Sequence, residues 1–310
     1  MPLNIHFSAA DHVWDDYNVV LPQALEKAGV HAHLSRDHAP ATVDYIVFAP
    51  NPALTDFAPF TRCKAVLSLW AGVETIVTND TLTQPLARLV DPGLTQGMVE
   101  WVVGHTLRHH LGMDTHIFGQ DGVWRDHVPP LAGDRPVTVL GLGALGAACG
   151  QALASLSFPV TGWSRGAKTI EGITCLHGSA GLEQALTNAE ILILLLPLTP
   201  LTRNLINAER LAHLAKGAFV INPGRGPLID DTALLAALET GQIAHATLDV
   251  FRQEPLPAGN PYWTHPKVTV TPHIASETRP ASAAKVIAQN IARVEAGQPL
   301  KNLVNRSRGY

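Results

Sequence analysis

The sequence predicts a two-domain α/β protein, and three observations support this prediction. The 310 residues exceed the usual size of a single domain. Short apolar runs alternate with stretches of helical periodicity, which is the pattern of parallel sheets covered by helices. A glycine-rich turn follows one of the apolar runs near the middle of the chain. We therefore expect two α/β domains, with a ligand site at that turn.

The first third of the chain is predicted to form one of these domains. Buried strands begin at Leu3, Val43 and Ala65, and a helix over Val20 to Gly29 separates the first two. No glycine fingerprint follows the first strand, so we expect no dinucleotide site within this domain. One long helix is predicted over about Thr95 to Phe118, because apolar residues recur there at helical spacing.

The second domain is predicted from six further strands, a number that matches one dinucleotide-binding domain. These strands begin at Val137, Phe158, Glu190, Gly217, His245 and Val268. A final helix, about Pro280 to Ala296, has no strand after it and is expected to pack back on the first domain. The predicted substrate domain is therefore discontinuous, with residues 1–98 and 274–310, and residues 99–273 form the dinucleotide-binding domain.

Composition argues against several classes of function. The net charge of -4 and the lack of basic runs with aromatics disfavour a nucleic-acid surface. No signal peptide is recognisable, and the most apolar run, Ile191 to Leu196, is too short for a membrane span. Three scattered cysteines and the absence of metal-ligand spacing among 15 histidines disfavour disulfides and metal. We expect a soluble cytoplasmic protein without metal.

The glycine-rich turn has the spacing G-x-G-x-x-G at the end of a strand and the start of a helix. Gly141 permits a tight turn, Gly143 lets the backbone approach a pyrophosphate, and Gly146 lets helix and strand pack closely. The amides of Ala144 and Leu145 would face the phosphates at the helix N-terminus. A purely structural turn is the alternative. The strand, helix and second strand around it favour dinucleotide binding on a doubly wound sheet of Rossmann type.

The end of the next strand indicates which dinucleotide is bound. An NAD-selective site carries Asp or Glu there, whereas this chain has Trp163, Ser164 and Arg165, with Lys168 shortly after. A guanidinium suits the 2′-phosphate of NADP(H), and Ser164 adds a hydroxyl donor. We therefore expect NADP(H), with NAD(H) as the weaker alternative. The alternative that Arg165 is an ordinary surface residue stays open.

Three later strands are followed by polar residues at the sheet edge where parallel sheets bind ligands. These residues are Arg225, Glu254 and His273. A histidine can give a proton to a growing alkoxide, a carboxylate orients its ring, and an arginine grips a substrate carboxylate. The set suits reduction of a keto acid by a nicotinamide hydride. Taken singly, His273 could instead cap a helix and Glu254 could be a solvated loop acid.

Five motifs together resemble the D-isomer-specific 2-hydroxyacid dehydrogenase family over nearly the whole chain. They are GLGALG, LPLTPLTRNLI, NPGRGPLID, DVFRQEPLP and TPHIAS, in this order. The segment from Trp163 to Arg165 is more similar to the glyoxylate/hydroxypyruvate reductase A subgroup. The resemblance implies a flavodoxin-like substrate domain, NADPH-dependent reduction of small 2-keto acids such as glyoxylate and hydroxypyruvate, and a homodimer formed through the long helix and neighbouring loops.

The resemblance also implies roles for individual residues. Arg225 would bind the carboxylate and keto oxygen of the substrate, and His273 would be the general acid/base with Glu254 as its partner. Further cofactor-site residues would be Pro197, Leu198, Thr202, Asp249 and Ser276.

The first domain is expected to contribute a turn to the substrate site. By the same resemblance, the backbone of Ala71, Gly72 and Val73 would hold the substrate carboxylate. Trp70, which stands where many members have a small residue, either walls the pocket or fills the core. Met98 and Trp101 are further candidates for the pocket wall.

Two other functions stay open from the sequence. One is a non-catalytic NAD(P)H-binding corepressor or scaffold with the same fold, because fold does not determine function. The other is a dehydrogenase that acts on a larger 2-keto acid.

Overall fold

The computed structural model describes residues 2–306 and residue 309. The chain divides into two compact units: unit 1 comprises Met1–Leu94 and Thr278–Tyr310, and unit 2 comprises Thr95–Glu277. The boundaries predicted from the sequence were residues 98 and 274. Residues 1, 307, 308 and 310 of the predicted substrate domain lie outside the described residues.

Unit 1 is built on a five-stranded parallel sheet. Its strands are β1 (Leu3–Ser8), β2 (Ala32–Ser35), β3 (Tyr45–Phe48), β4 (Ala65–Ser68) and β5 (Leu86–Ala87). Their order, β2-β1-β3-β4-β5, is that of flavodoxin-like folds, so the predicted fold of this unit is confirmed. The sequence did not predict β2, which is half-exposed, or β5, which is two residues long.

The first two helices of unit 1 are α1 (Asp11–Tyr17) and α2 (Val20–Lys27). The sequence predicted α2 and missed α1, which buries only Tyr17 and therefore shows no apolar periodicity.

Unit 2 contains a seven-stranded parallel sheet. Its strands are β6 (Val137–Leu140), β7 (Val160–Ser164), β8 (Ile173–His177), β9 (Ile191–Leu194), β10 (Ala218–Asn222), β11 (Ile243–Leu248) and β12 (Val268–Val270). The order β12-β11-β10-β9-β6-β7-β8 reverses direction beside β6, as in a doubly wound sheet, which confirms the Rossmann-type prediction. The unpredicted strand is the edge strand β8, of which only Ile173 is buried.

Helices α3 to α8 accompany this sheet. They are α3 (Pro92–His110), α4 (Met113–Ile117), α5 (Ala144–Ser155), α6 (Gly178–Leu186), α7 (Ala208–His213) and α8 (Asp231–Glu239). The prediction of one continuous helix over Thr95 to Phe118 is wrong, because Gly112 adopts a left-handed conformation with φ of +62° and ends α3. The helix also begins earlier than predicted, since the Asp91 carboxylate accepts the amides of Gly93 and Leu94.

The last helix, α9 (Pro280–Glu295), belongs to unit 1 and packs on α1 and α2, as predicted. Its apolar stripe includes Ala284, Ile287 and Ile291, which are all buried. Tyr45 of β3 donates a hydrogen bond of 2.6 Å to Glu295 near its end. Among the described residues, no helix is both long enough and apolar enough to cross a membrane.

Candidate active site

The glycine turn after β6 is shaped by two crowded glycines and one open glycine. A Cβ on Gly141 would lie 2.4 Å from the carbonyl oxygen of Leu195, and Gly141 has a φ of +108°. A Cβ on Gly146 would lie 1.8 Å from the carbonyl oxygen of Gly141. Gly143 has no described atom within 4 Å of its Cβ position. The turn is therefore closely packed on the protein side and leaves space at Gly143.

The N-terminus of α5 offers hydrogen-bond donors to this space. Gly143 is the N-cap, and no described side chain caps the helix. The amides of Ala144 and Leu145 belong to the first turn, whose N–H groups have no partner within a helix. The Lys168 ammonium group donates to the carbonyl oxygen of Leu142 in the same turn. The structure thus brings Lys168 to the glycine turn, and its role in holding the cofactor stays a prediction.

The residues at the end of β7 differ in their environment. Arg165 is exposed, and the Ser164 hydroxyl donates to the carbonyl oxygen of Gly166 at 2.9 Å. The Trp163 side chain, in contrast, is buried in the core and donates from its indole to Gly178 at 2.8 Å. The prediction that Trp163 binds the cofactor is therefore not supported by its side chain, which packs inside unit 2.

The loop that follows β9 lies beside the glycine turn, because β9 pairs with β6. The Thr202 hydroxyl donates to the carbonyl oxygen of Pro197 at 2.7 Å and accepts the amide of Thr199 at 2.8 Å. Pro197 and Leu198 are half-buried. Thr202 therefore closes a turn that presents Pro197 and Leu198 at this edge of the sheet.

His273 and Glu254 form an imidazole–carboxylate pair. The Nδ1 atom of His273 lies 2.7 Å from Oε2 of Glu254, and Oε1 of Glu254 accepts the amide of Phe251 at 2.8 Å. The two side chains are 51% and 35% exposed. The pairing orients the ring and leaves Nε2 as the nitrogen for proton exchange with a substrate.

Asp249 holds the loop that carries His273. Its buried carboxylate accepts hydrogen bonds from the Thr271 hydroxyl at 2.5 Å and from the amides of Ile274 and Ala275 at 2.9 Å each. Its carbonyl oxygen accepts the amide of His273 at 2.8 Å. His273 has a φ of +55°, a left-handed conformation that is unfavourable for residues other than glycine. Asp249 therefore stabilises the backbone conformation at His273.

This arrangement adds one residue that sequence reasoning missed. Thr271 was not singled out, although a hydroxyl two residues before the histidine was a visible signal. The assignment of Asp249 to the cofactor site stays a prediction; its two carboxylate oxygens accept hydrogen bonds from the His273 loop.

Arg225 follows β10, the neighbour of β11 in the sheet. Its guanidinium donates to the carbonyl oxygen of Gly224 at 2.7 Å, and its own carbonyl oxygen accepts the side-chain amide of Asn222 at 2.9 Å. A Cβ on Gly226 would lie only 2.1 Å from the carbonyl carbon of Phe251. The loops that carry Arg225 and Glu254 are thus in direct backbone contact. Ser276 is half-buried and follows the His273 loop.

The remaining substrate-site candidates lie in the turn after β4 and in helix α3, and their side chains differ in exposure. In unit 1, the Ser68 hydroxyl closes a turn with the backbone of Trp70, and Trp70 is 45% exposed, which excludes the core-filling alternative. Val73 in the same turn is buried. In unit 2, Met98 lies in the apolar core with Trp101 packed against it, so the prediction of Met98 as a pocket wall is not supported. Ala71 and Gly72 are half-buried.

The fold and the site together define a class of protein. A doubly wound parallel sheet, a glycine turn at its carboxyl edge and a histidine–glutamate pair at the same edge are the parts of an α/β dehydrogenase that binds a dinucleotide.

Comparison with known proteins agrees with this class. The family described as "D-isomer specific 2-hydroxyacid dehydrogenase, NAD binding domain" matches residues 102–275. The chain is 39% identical over 298 residues to glyoxylate/hydroxypyruvate reductase A of Serratia proteamaculans, covering 94% of each chain. These matches show that the chain belongs to the D-isomer specific 2-hydroxyacid dehydrogenase family.

Two solved structures are similar over the full chain. A D-isomer specific 2-hydroxyacid dehydrogenase from Xanthobacter autotrophicus Py2, in complex with NADPH and MES, has a TM-score of 0.91 and 43% identity, covering 100% of this chain and 99% of that one. An NADPH-dependent glyoxylate/hydroxypyruvate reductase from Sinorhizobium meliloti, in complex with NADP and sulfate, has a TM-score of 0.84 and 32% identity with the same coverage.

Proposed function

We propose that this protein catalyses the NADPH-dependent reduction of small 2-keto acids, glyoxylate and hydroxypyruvate, to 2-hydroxy acids. The observation that carries the proposal is the 2.7 Å pairing of His273 with Glu254, on a loop in backbone contact with the Arg225 loop, at the edge of the sheet that holds the glycine turn. The similarity to glyoxylate/hydroxypyruvate reductase A of Serratia proteamaculans supports this choice of substrate.

The glycine turn would hold the pyrophosphate of NADP(H), and Arg165 with Lys168 would hold the 2′-phosphate. The open space at Gly143 and the uncapped N-terminus of α5, among the described residues, fit an anionic group. When bound, the cofactor supplies a hydride to the carbonyl carbon of the substrate. NAD(H) lacks the 2′-phosphate and is the weaker cofactor.

The side chains at the sheet edge then have distinct tasks. His273 gives a proton from Nε2 to the keto oxygen as negative charge grows there, and Glu254 favours the protonated ring before the transfer and fixes its orientation. Arg225 binds the carboxylate of the substrate through its planar fork. By the family resemblance, the backbone of Ala71, Gly72 and Val73 in unit 1 stays a candidate for binding a substrate carboxylate.

A substrate panel with a matched histidine control tests this function. Steady-state oxidation of NADPH and NADH is measured with glyoxylate, hydroxypyruvate and larger 2-keto acids. His273→Gln should lower kcat by about 100-fold or more if the residue is the general acid. His213→Gln removes another histidine paired with a glutamate, at 3.2 Å from Glu183, and should leave kcat unchanged.

Each other outcome of the panel rejects part of the proposal. If the wild-type protein binds NADPH but reduces no keto acid, the chain is a non-catalytic dinucleotide-binding protein. If only larger keto acids react, the substrate is wrong. An active His273→Gln variant would exclude this histidine as the acid.

We also propose a homodimer, formed through the segment after α3. In this segment Phe118 is 78% exposed, Trp124 93%, Val128 82% and Leu131 78%. Exposed apolar side chains in such proximity along the chain are typical of a surface that another protein covers. Light scattering on the purified protein should give twice the mass of the chain, and Trp124→Asp with Phe118→Asp should give the monomer. A monomeric wild-type protein would contradict this proposal.

A cytoplasmic location is supported by the three free cysteines, Cys63, Cys149 and Cys175, since a reducing compartment keeps thiols unpaired. Fractionation of the source cells would test it, and recovery outside the cytoplasm would contradict it.

A further inference from the structure

Arg252 lies two residues before Glu254, and its guanidinium contacts two segments besides its own. Its Nε donates to Oδ2 of Asp231 at 2.8 Å. Its Nη2 donates to the side-chain oxygen of Asn204 and to the carbonyl oxygen of Ile229. The Arg252 side chain is 34% exposed. A partly buried guanidinium with three acceptors is a strong anchor because each hydrogen bond is charge-assisted.

Each contacted segment carries a residue of the candidate site. Asn204 follows the Thr202 turn after β9, and Ile229 follows Arg225 after β10. These two segments also bind each other, since the amide of Asn204 donates to Pro227 at 2.8 Å. Arg252 therefore lies where three loops of the sheet edge meet. They are the loop after β9, which is predicted to bind the cofactor, the loop after β10, which carries Arg225, and the loop after β11, which carries Arg252 itself.

Asp231 accepts hydrogen bonds from two residues of the Glu254 loop, one before and one after Glu254 in the sequence. Arg252 binds its Oδ2 atom, and the Tyr262 hydroxyl donates to its Oδ1 atom at 3.0 Å. The Tyr262 side chain is buried. The loop from residue 252 to 262 is thus attached to the start of α8 at two points.

This loop packs against the apolar core of unit 2, because Tyr262 belongs to that core and Phe251 and Leu256 pack against it, but the packing below the loop is incomplete. A cavity of about 180 Å³ lies there, lined by residues of the loop and of the sheet. Lining residues include Asn222, Leu234, Leu248, Phe251, Leu256 and Tyr262. Protein interiors are otherwise close-packed, so the polar contacts of Arg252 and Tyr262 with Asp231 supplement incomplete apolar packing in positioning the loop.

We propose that Arg252 is a positioning residue that sets the place of Glu254 relative to His273. The amide of Phe251, next to Arg252, donates to Oε1 of Glu254, and Oε2 of Glu254 binds the ring of His273. A displacement of Arg252 moves that amide and hence the carboxylate. The inference rests on the proposed function and adds to it a residue that acts through its contacts with Asp231, Asn204 and Ile229.

A matched pair of arginine variants tests the proposal. Arg252→Met removes the anchor. Arg210→Met removes a similar arginine of unit 2, which binds Glu183 at 3.1 Å and the carbonyl oxygen of Leu205 at 2.9 Å. Below the unfolding temperature, Arg252→Met should lower kcat by about tenfold or more with the keto-acid KM within about twofold, because catalysis is sensitive to small displacements. Arg210→Met should lower thermal stability alone.

Two further variants separate positioning from general stability. Arg252→Lys keeps the charge without the planar fork and should recover part of the lost kcat. The double variant Arg252→Met with Asp231→Asn should lose less kcat than the product of the two single losses, because both changes break the shared Arg252–Asp231 contact. Independent losses that multiply, or equal kcat in Arg252→Met and Arg210→Met, would overturn the proposal.

An additional readout distinguishes failure of this proposal from failure of the proposed function. Nitrogen NMR of the His273 ring, assigned with His273→Gln, reports its contact with Glu254 even without turnover. The Arg252→Met variant should alter this signal and Arg210→Met should not. If the wild-type enzyme is active and the signal is the same in both variants, the inference about Arg252 is wrong while the function stands. If the wild-type protein reduces no acid, the function fails and the NMR comparison alone decides the positioning role.

Discussion

Glu254→Gln is the most informative single change, because the structure predicts how the new side chain must lie. Oε1 of Glu254 accepts the amide of Phe251 at 2.8 Å, and this site needs an acceptor. The glutamine oxygen will therefore occupy it, which places the NH2 group at Oε2, 2.7 Å from Nδ1 of His273. The variant keeps the shape of the loop but presents a donor to the ring where the wild-type protein presents a negatively charged acceptor.

The magnitude follows from the contact that is lost. A hydrogen bond to a charged group contributes about 1.5–3 kcal/mol. The His273 side chain is 51% exposed, so solvent screening favours the lower end of that range. A loss of about 1.5 kcal/mol from the transition state corresponds to a fall in kcat of about tenfold. Stability should change little, since the Phe251 contact is retained.

The assay is steady-state NADPH oxidation with saturating glyoxylate, together with urea unfolding of both proteins. We expect the lower kcat with an unchanged KM for NADPH, because the cofactor turn is untouched. A variant with wild-type kcat and wild-type stability would refute the role of Glu254 as the partner of His273.

Three further predictions concern the loop, the cofactor and pH. Asp249→Asn places an NH2 group against backbone amides that need an acceptor, and should lower the unfolding free energy by about 2–3 kcal/mol in urea titrations and reduce kcat; unchanged stability would contradict this. Arg165→Ala should weaken NADPH binding more than NADH binding, by about 1.5–3 kcal/mol in fluorescence titrations, and equal losses would reject the cofactor assignment. Burial, with further contributions from His245 and Arg108, lowers the pKa of His109 to about 2 from its ordinary value of 6.5. The unfolded chain therefore takes up this proton first, and stability should fall by about 2 kcal/mol as the pH drops from about 6.5 to about 5. His109→Gln should flatten this slope, and an equally steep slope in the variant would show that another group is responsible.

The strands that were easiest to predict have continuous buried apolar runs, such as Ile191–Leu194. The edge strands β2 and β8 carry half-exposed side chains and could not be distinguished from loops. The break after α3 depends on the left-handed conformation of Gly112. A glycine can also adopt the right-handed conformation and continue a helix, at a modest cost in stability. Residue identity alone does not decide between these conformations.

In the candidate site, too, the sequence pattern predicted which loops come together, whereas the individual contacts depend on backbone conformation. The loops of Arg225, Glu254 and His273 could be predicted because parallel strands share one carboxyl edge. The amide contact of Glu254 and the loop contacts of Asp249 depend on local backbone conformation, including the positive φ at His273. The position of Trp163 at the end of β7 did not reveal that its indole packs in the core, and its assignment to the cofactor site stays a prediction. The role proposed for Arg252 could not be predicted, because its partners Asp231, Asn204 and Ile229 are distant from it in the sequence.

The central claim is that the His273 imidazole, supported by Glu254, delivers a proton to the keto oxygen of a substrate held by Arg225. A crystal structure with NADP⁺ and oxamate, an unreactive analogue of a small 2-keto acid, tests it most directly. We expect Nε2 of His273 within hydrogen-bond distance of the analogue's keto-type oxygen and the Arg225 guanidinium on its carboxylate. An analogue bound away from both side chains, with the cofactor in the glycine turn, would contradict the claim.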